Sequence, residues 1–452
     1  MPTEYFEARE RALLGERYET LYAAPTEQPA RGVTVNRLRM TRETFCERVD
    51  FEVKPSPFCS MGLLVPDATV KLGRHPYHHA GAFYSQEPSA SAPADLLEVR
   101  PGHKVLDLCA APGGKSSQLA AALGGEGLLV SSEYDSGRAV ILRQNLERMG
   151  VPNALVLNET PERVAKALPG FFDRVLVDAP CSGEGMFRKE PQTMAQHNQG
   201  LVEHCAELGR SILDAAAACL AVGGLLVYST CTFAPEEDEM QVGAFLARHP
   251  EFELLDCGAG FGQPGEENRC GEYRYEVEKA RRIWPCDGGE GHFMAKFRKN
   301  ARAEGETDAR LKPSKTAKLC KEWQAFAKQS FPALADAPVT LLEDMVLLTP
   351  PETPALKLHI LRAGVLAGSV QKGRFVPAHH LFTAYGGQCV NREELPLSDD
   401  RVAAWLRGEE IDARTAANGW CCVMVDGLPL GGGKVSGGRV KNHLPKALRN
   451  LG

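Results

Sequence analysis

The feature that most constrains this fold is an alternation of apolar strands and helices that begins near residue 102. Five short runs rich in Val and Leu are separated by stretches whose apolar residues have helical spacing. Strands that alternate with helices predict a mainly parallel, doubly wound α/β sheet of the Rossmann-like class. The predicted strands are KVLDLCA, GLLVSSEYD, ALVLNE, FDRVLVDAP and LLVYSTCTF. The predicted helices are SSQLAAALG, SGRAVILRQNLERMG, RVAKALPGF and LVEHCAELGRSILDAAAACLAVGG.

Helical spacing also predicts which residues of two of these helices are buried. In SGRAVILRQNLERMG, we expect Val140, Ile141 and Leu146 on the apolar side. In the long helix, the predicted apolar face consists of Leu201, Cys205, Leu208, Ile212, Ala216 and Leu220.

The segments on either side of this alternation have weaker patterns. The chain has 452 residues, enough for roughly three domains of about 150 residues each. Near the N-terminus, FEARERALLGERYETLY predicts one amphipathic helix and GVTVNRL predicts a strand. A polar, Lys- and Ala-rich segment at 299–319 marks a boundary, and short strand-like pieces beyond it predict one or two small α+β or β-barrel modules. We therefore predict domains at 1–90, 91–300 and 301–452.

The composition indicates the cellular compartment of the protein and whether it spans a membrane or binds a metal. Fourteen cysteines are scattered without CxxC pairs, which favours free thiols in a reducing cytoplasm. No run approaches the ~20 apolar residues of a membrane span, so we expect no membrane partner. His75, His78 and His79 lie close together, but no acidic or thiol partner has ligand spacing. We therefore predict no metal site.

Basic residues are concentrated in parts of a chain whose net charge is −6. Residues 427–452 contain no Asp or Glu but include Lys434, Arg439 and Lys441. Such a patch is expected where a protein contacts phosphate groups of nucleic acid. A merely solvated tail is the alternative, and charge alone does not decide between the two.

A glycine loop, CAAPGGKSS at 109–117, joins the first predicted strand to the first helix. A P-loop needs a glycine five residues before Gly114, where Cys109 stands, and the dinucleotide motif GxGxxG is absent. Glu133 ends the second strand, where an acidic side chain can accept hydrogen bonds from ribose hydroxyls. The pattern favours a nucleoside ligand such as S-adenosylmethionine. The candidate cofactor residues are Cys109, Ala110, Ala111, Pro112, Gly113, Gly114, Lys115 and Glu133.

Two cysteines stand at similar places in the fourth and fifth predicted strands. Cys181 follows Asp178-Ala-Pro, and Cys231 follows Ser229-Thr230. Free cysteine is a common small core residue, so packing is one interpretation. Strand ends of a doubly wound sheet border the ligand crevice, so a nucleophilic thiolate is the other.

Several longer stretches carry a family resemblance. They are GRHPYHHAGAFYSQEPSA, VLDLCAAPGGKSSQLA, FDRVLVDAPCSGEGMFRK, YSTCTFAPEEDE and RRIWPCDGGEGHFMAKF within 73–297, and KGRFVPAHHL and DGLPLGGGKVSGGRVKNHLPKALR beyond them. Together they resemble the Sun/NOL/NOP family of RNA cytosine-5 methyltransferases, most of all its RsmF-type branch, which acts on small-subunit ribosomal RNA. The resemblance implies a class I methyltransferase domain with a small N-terminal α+β segment and a PUA-like C-terminal RNA-binding module.

The resemblance also implies roles for the residues at the strand ends. Cys231 would be the nucleophile that adds to carbon 6 of cytosine. Cys181 would help to remove the proton on carbon 5 and release the product. Asp178 would contact the ring nitrogen and amino group of the base and would also belong to the cofactor site. Lys115 stands where it would steady Asp178 and lower the pKa of a thiol.

Two sets of residues follow the family pattern less closely. Family members commonly have an aspartate after the third strand to hold the adenine, whereas this chain has Asn158-Glu159-Thr160, so Glu159, or the side chain of Asn158, becomes the candidate. Phe187, Arg188 and Lys189 follow the Pro-Cys loop, where they would stack on and clamp RNA, or simply begin a helix.

The expected activity is methylation of carbon 5 of cytosine in RNA, with S-adenosylmethionine as methyl donor and 16S ribosomal RNA as substrate. We expect a cytoplasmic monomer whose partner is ribosomal RNA or the small ribosomal subunit. Two alternatives remain at this point. A transfer-RNA cytosine methyltransferase would keep every catalytic residue, and a non-catalytic ribosome-assembly factor would use the same scaffold only to bind RNA.

Overall fold

The computed structural model describes residues 3–258, 260–306, 311–312, 314 and 320–450. Part of the predicted boundary segment 299–319 therefore lies outside the described residues. Within the described ranges, no helix is long and apolar enough to span a bilayer. The same ranges contain no group of three or more His, Cys, Asp or Glu side chains that could hold a metal ion, and the three neighbouring histidines do not form one.

The N-terminal region combines short helices with a small sheet. The single helix predicted at its start is instead two helices, because Gly15 adopts φ 55° and ends the first one. The four strands form an antiparallel sheet in the order β2-β3-β1-β4. The elements are α1 (Glu4–Leu14), α2 (Arg17–Leu21), β1 (Gly32–Val35), α3 (Arg42–Arg48), β2 (Lys54–Pro55), β3 (Gly62–Leu64), α4 (Pro76–His79), β4 (Phe83–Gln86) and α5 (Ala92–Leu96).

The central region contains the predicted α/β alternation. Strands β7, β6, β5, β8 and β9 are parallel, and β13 continues the sheet antiparallel to β9. The elements are β5 (Lys104–Asp107), α6 (Gly114–Leu123), β6 (Leu128–Ser132), α7 (Ser136–Arg148), β7 (Ala154–Leu157), α8 (Pro161–Ala167), β8 (Phe172–Asp178), α9 (Pro191–Gln196), α10 (Gln199–Cys219), β9 (Leu220–Thr230), α11 (Glu239–Arg248), β10 (Phe252–Leu255), β11 (Gln263–Pro264), β12 (Arg281–Ile283) and β13 (His292–Lys299).

The C-terminal region forms two further sheets, in the orders β14-β15-β17-β18 and β19-β21-β22-β23-β20. Residues of the second sheet share one apolar core with the N-terminal sheet, so the two ends of the chain pack together. The elements are α12 (Lys321–Ser330), β14 (Thr340–Leu342), β15 (Met345–Leu348), β16 (Ile360–Ala363), β17 (Val365–Gln371), β18 (Arg374–Pro377), α13 (His379–Tyr385), β19 (Arg392–Leu395), α14 (Asp400–Leu406), β20 (Ile411–Asp412), β21 (Gly419–Val425), β22 (Leu428–Ser436) and β23 (Arg439–Asn442).

One C-terminal strand crosses the predicted domain boundary at residue 300. Strand β16 pairs antiparallel with β7 and so becomes part of the central ten-stranded sheet. The central sheet therefore draws on two separate parts of the chain, 104–299 and 360–363. Short 3-10 helices lie at Leu72–Arg74, Ser89–Ser91, Glu184–Met186, Glu267–Arg269, Val277–Lys279, Pro285–Asp287, Pro332–Leu334, Gly386–Gln388 and Lys446–Leu448.

The buried faces of two central helices differ in part from those expected. In α7, Ala139, Leu142 and Leu146 are buried, whereas Val140 and Ile141 are 38% and 48% exposed. Residues three or four apart share one face of a helix, as Ala139, Leu142 and Leu146 do. Val140 and Ile141 are their direct neighbours in sequence and therefore lie on other faces. In α10, Cys205, Ile212 and Ala216 are buried as predicted, but Leu208 is 37% exposed and its neighbour Gly209 is buried instead. Val202 is buried rather than Leu201, and Leu220 is buried as the first residue of β9.

Candidate active site at the carboxyl ends of the central strands

The register of two neighbouring strands brings the predicted cysteines together. Asp178 at the end of β8 pairs with Ser229 near the end of β9, in parallel register. The chain then turns at both strand ends, and the Sγ atoms of Cys181 and Cys231 lie 3.2 Å apart. The backbone N–H of Cys231 also donates a hydrogen bond to Sγ of Cys181, at 3.3 Å.

The pKa of Cys181 lies well above its ordinary value. The hydrogen bond with Cys231 is the largest cause, and burial raises the pKa further. The net pKa of Cys181 therefore favours its protonated form, and the lowering expected from Lys115 is outweighed there by the hydrogen bond with Cys231 and by burial. A protonated Cys181 can donate to a Cys231 thiolate, which suits the unequal roles predicted for the two thiols.

An ion pair lies beside the two thiols. Nζ of Lys115 is 2.7 Å from Oδ2 of Asp178, and the hydroxyl of Ser229 donates to Oδ1 at 2.7 Å. Burial raises the pKa of Asp178, but Lys115 outweighs it and the net pKa is lowered. Burial conversely lowers the pKa of Lys115, and Asp178 raises it above the ordinary value. Asp178 is thus held as a carboxylate facing the cysteines.

The glycine loop approaches this group from β5. Gly113 adopts φ 113°, which a residue with a side chain rarely does, and it caps α6. A Cβ on Gly114 would lie 2.5 Å from Oε1 of Gln86 and 3.1 Å from the ring of Tyr84, so a larger residue there would have to displace these side chains. Oε2 of Glu133 accepts a hydrogen bond from the N–H of Ala111 at 3.3 Å, which ties the end of β6 to the loop.

A cavity lies over these strand ends and contains most of the predicted site. Lys115, Asp178 and Cys231 line it together with the glycine loop. The loop residues in its wall are Cys109, Ala110, Ala111, Pro112, Gly113 and Gly114. A nucleoside ligand and a pyrimidine base can therefore meet in one cavity, with Cys231 in its wall, whereas Cys181 and Glu133 lie behind the residues that line it.

Four residues near this cavity were not predicted from the sequence. Asp107 ends β5 and lines the cavity, and burial raises its pKa to about 7. The strand-end argument that singled out Asp178 applies to Asp107 as well and could have found it. Tyr134, 73% exposed, follows Glu133 directly, and Arg138 reaches to 3.8 Å from that carboxylate. His292 comes from β13, and no local pattern marked it.

Two buried carboxylates lie behind the cysteine loops. Glu237 accepts hydrogen bonds from the N–H of Ser182 at 2.9 Å and from its hydroxyl at 2.5 Å. Ser182 Oγ also lies 2.7 Å from the hydroxyl of Thr232, so the residues that follow Cys181 and Cys231 are joined directly. Burial raises the pKa of Glu237 to about 8.

The second carboxylate, Glu184, connects both cysteine loops to the N-terminal helix. It accepts two hydrogen bonds from the guanidinium of Arg9, at 2.9 and 2.7 Å, and one from Nε2 of His197 at 2.7 Å. It also accepts the N–H of Phe233, two residues after Cys231, at 3.0 Å. Although burial raises its pKa, His197 and Arg9 lower it to about 2.

Glu159, which was expected to bind the adenine of the cofactor, instead contacts another part of the protein. Oε1 of Glu159 accepts a hydrogen bond from the N–H of His359 at 2.6 Å, and Oε2 lies 3.1 Å from Arg163. Its side chain is only 2% exposed. The assignment of Glu159 to the cofactor does not fit this arrangement, because its carboxylate anchors the segment that leads into β16.

The three residues predicted to clamp RNA beside the active site have different surroundings. Phe187 is buried against Phe6 and His197, so it is not available to stack on a base. Arg188 donates to the backbone oxygens of 26–27 and lies 3.4 Å from a buried carboxylate, which ties it to the protein. Lys189 lines the cavity and is the one of the three placed to meet substrate.

The basic residues of the C-terminal sheet share one hairpin. Lys434 on β22 pairs with Lys441 on β23, and both side chains are exposed. Lys434 Nζ also lies 5.8 Å from the ring centre of Trp420. Arg439 instead forms an ion pair with Asp412 at 2.6 Å. Two exposed lysines, one of them beside an aromatic ring, are an arrangement suited to an RNA backbone.

Comparison with protein families gives matches along most of the chain. Residues 94–298 match the model of 16S rRNA methyltransferase RsmB/F. The flanking regions match the N-terminal domain of RsmF at 1–88, the first C-terminal domain of RsmF at 325–384 and the RsmF PUA domain at 392–450. These matches confirm the predicted class I methyltransferase fold with an N-terminal segment and a PUA-like C-terminal module.

Individual relatives agree over the same length. The chain is 30% identical over 449 residues to ribosomal RNA small subunit methyltransferase F of Vibrio cholerae strain M66-2, covering 94% of this chain and 93% of that protein. It is 31% identical over 454 residues to the protein of the same name from Vibrio parahaemolyticus, with 94% and 93% covered. A solved methyltransferase homolog from Pyrococcus horikoshii is 30% identical, with a TM-score of 0.58 over 66% of this chain and 95% of that one.

Proposed function

This chain belongs to the RsmF family of small-subunit ribosomal RNA methyltransferases, and from this membership and its site we propose how it acts. It is an RNA cytosine-5 methyltransferase that takes its methyl group from S-adenosylmethionine and acts on 16S ribosomal RNA. The observation that supports the chemistry best is the pair of thiols 3.2 Å apart beside the Lys115–Asp178 ion pair.

The residues around the cavity fit S-adenosylmethionine. The glycine loop lines the cavity, and Glu133 stands at the next strand end to receive ribose hydroxyls. Asp107 lies in the wall of the same cavity, and a cationic ligand bound there would favour its ionised form. Bound there, the cofactor supplies a methyl group bonded to a positively charged sulfur.

The chain's own residues then act on the base. The thiolate of Cys231 forms a bond to carbon 6 of cytosine, which places the electron pair on carbon 5, where the new methyl bond forms. Asp178 contacts the ring nitrogen and amino group of the base; because it is a carboxylate, the proton that the ring nitrogen gains comes from water and returns to water when the adduct breaks. The adduct removes the hydrogen bond that raises the pKa of Cys181, so this thiol can lose its proton to water; the Cys181 thiolate, or a water, then accepts the carbon-5 proton. The bond from Cys231 to carbon 6 breaks and frees the product.

The RNA must present one base to this cavity. A cytosine within a helix is covered by its neighbours, so the target is flipped out or unpaired. Lys189 contacts the RNA at the cavity, and Lys434 and Lys441 contact phosphates farther along it. We further propose that the enzyme acts in the cytoplasm as a monomer on ribosomal RNA or the small subunit.

Bisulfite sequencing of total RNA from cells with and without the gene tests this function. We expect one or a few cytosines of 16S ribosomal RNA to lose their methylation when the gene is deleted. Complementation with the wild-type gene should restore them, and the C231A gene should not. Loss of methylation in transfer RNA alone would contradict the proposed substrate.

A further inference from the structure

The amino group of a target cytosine has two hydrogens, and each needs an acceptor once the base is enclosed. Asp178 can accept one of them, but both of its oxygens already accept hydrogen bonds, from Lys115 and Ser229. Leaving the second N–H buried without a partner costs about 1–3 kcal/mol. The cavity is therefore expected to hold a second acceptor close to Asp178.

His292 has the position that this acceptor requires. It is the first residue of β13, and its neighbour Phe293 pairs with Thr230 in antiparallel register, so His292 lies across from Cys231. It lines the same cavity as Asp178 and Cys231. Its proximity also contributes to the lowered pKa of Asp178.

Hydrogen bonds on the far side of the ring determine which nitrogen carries the proton. Glu87 accepts the N–H of Ala90 at 2.8 Å and that of Glu290 at 3.2 Å, and it also accepts the hydroxyl of Ser89 at 2.5 Å. The single proton of Ser89 is thereby used. Ser89 Oγ, 2.8 Å from Nδ1 of His292, must then accept a hydrogen bond from the ring.

This arrangement leaves Nε2 as the nitrogen that offers a lone pair. Burial is the largest cause that lowers the pKa of His292, to about 4, so the ring is neutral at physiological pH. A neutral imidazole with a proton on Nδ1 accepts at Nε2. So weak a base does not hold a proton taken from carbon 5, and its role is that of a hydrogen-bond acceptor.

We propose that Nε2 of His292 accepts the second amino hydrogen of the target cytosine and so distinguishes cytosine from uracil. Uracil has an oxygen at this ring position, and two acceptors facing each other repel. Glu87 and Ser89 are positioning residues, because they prevent the imidazole from presenting a proton instead. This inference rests on the proposed function, since it concerns the base that Cys231 attacks.

The test uses purified full-length protein and a short RNA that spans the cytosine mapped by bisulfite sequencing. The quantity measured is the inhibition constant of the same RNA with uracil at the target, divided by the KM of the cytosine RNA. For H292F we expect this ratio to fall about 10-fold, as for loss of one hydrogen bond and one repulsion. For S89A, which frees the tautomer, we expect a smaller fall in the same direction.

A matched control is H380F, because His380 is also a buried histidine, at 5% exposure, but lies in helix α13 of the C-terminal region. It should keep the wild-type ratio. A wild-type ratio in H292F would overturn the inference while leaving the proposed function intact, whereas a wild-type protein that methylates no RNA would overturn the proposed function itself. If H292F does not fold, S89A decides, and a wild-type ratio there would refute the fixed tautomer.

Discussion

The two ends of the chain support opposite halves of the central sheet through different kinds of contact. One half of the sheet consists of β8 and β9, which lead to Cys181 and Cys231, and is called the cysteine half. There, helix α1 reaches the loops after the two strands through buried side-chain charges, as in the pair of Arg9 and Glu184. The other half consists of β5, β6 and β7, which lead to the candidate cofactor residues, and is called the cofactor half. There, the C-terminal region extends the sheet beyond β7 with the backbone of β16. Side-chain charge pairs demand particular residues, whereas a backbone ladder tolerates many sequences.

The cysteine half is supported by a network rather than a single pair. Glu10 of the same helix forms a buried ion pair with Arg269 at 2.6 Å, and Arg9 lies 2.9 Å from Glu10. Removing one partner of such a buried pair leaves an unpaired charge away from water. The position of the thiols therefore depends on a helix at the other end of the sequence.

The cofactor half is joined mainly through the backbone, with two side-chain contacts, from the N–H of His359 to Glu159 and from Arg362 to Glu147. The N–H of Asn158 donates to the oxygen of His359 at 3.0 Å, and the N–H of Gly364 donates to Ala154 at 2.8 Å. Between them, Ile360 and Ala363 pair with β7. We expect this side to keep its geometry when surface side chains change, and the predictions below test that contrast.

The largest effect is expected from the thiols themselves. C231A should abolish turnover and any covalent adduct with RNA, because the bond to carbon 6 can no longer form. C181A should form the adduct but release it slowly, so that protein and RNA migrate together on a denaturing gel. If C231A traps RNA and C181A does not, the assigned roles are reversed.

Substitution of Arg9 should have the next largest effect. R9M leaves Glu184 buried without its main partner, and breaking such a pair costs about 3–5 kcal/mol of stability. It should also slow product release, since Glu184 follows Cys181 in the same loop. Urea denaturation and the adduct assay measure the two effects.

Arg11 provides the matched control on the same helix. It pairs with Glu7 and Glu19 at the surface, where its side chain is 48% exposed. R11M should change stability by no more than about 1 kcal/mol, as for exposed ion pairs. Equal effects of R9M and R11M would show that α1 does not support the cysteine loops through Glu184.

Two glutamates at successive strand ends sharpen the comparison on the cofactor half. E133A should weaken binding of S-adenosylhomocysteine by about 10- to 100-fold, as for loss of charge-assisted hydrogen bonds. E159A should leave this affinity unchanged and instead lower the stability by about 1–3 kcal/mol, because the N–H of His359 loses its acceptor. Calorimetry measures both affinities, and tight binding of ATP in place of S-adenosylhomocysteine would refute the cofactor assignment.

The raised pKa of Glu237 predicts a pH dependence on the cysteine half. A carboxyl whose pKa rises on folding stabilises the protein below its unfolded pKa, and this contribution is lost as pH rises towards the folded value of about 8. Between pH 6 and 8 the wild type should lose at most about 1.4 kcal/mol per pH unit from this group. E237Q cannot ionise, so its unfolding free energy should vary less over this range. Identical pH profiles would show that Glu237 does not titrate there.

Much of the site follows from local sequence, because its residues lie in short motifs at strand ends. Parallel strands bring their carboxyl ends together, so Asp178, Cys181 and Cys231 could be placed near the glycine loop from the pattern alone. The fold class could be predicted for the same reason. Glu159 also stands at a strand end, but its partner comes from 200 residues away, and no strand-end argument contains that contact.

The contacts that distant parts of the chain make with the active-site loops and the central sheet could not be predicted in this way. Arg9 and Glu184 are separated by 175 residues, and charged residues on an N-terminal helix normally face solvent. Strand β16 has only four residues and no alternation that marks it as part of the central sheet. Phe187 was placed at an RNA surface because of its neighbours in sequence, whereas its burial depends on the distant Phe6.

The smallest effect is expected from substitutions in the β22–β23 hairpin, which test whether Lys434 and Lys441 contact RNA. K434Q with K441Q should reduce the slope of log affinity against log salt by roughly two, about one for each lost phosphate contact. R439Q should add little, because Asp412 already neutralises that charge. Affinity for S-adenosylhomocysteine should not change, since β16 fixes the cofactor half independently of this hairpin. An unchanged salt slope would mean that the hairpin is merely solvated, and RNA selection would then fall to the N-terminal region in addition to its support of the thiols.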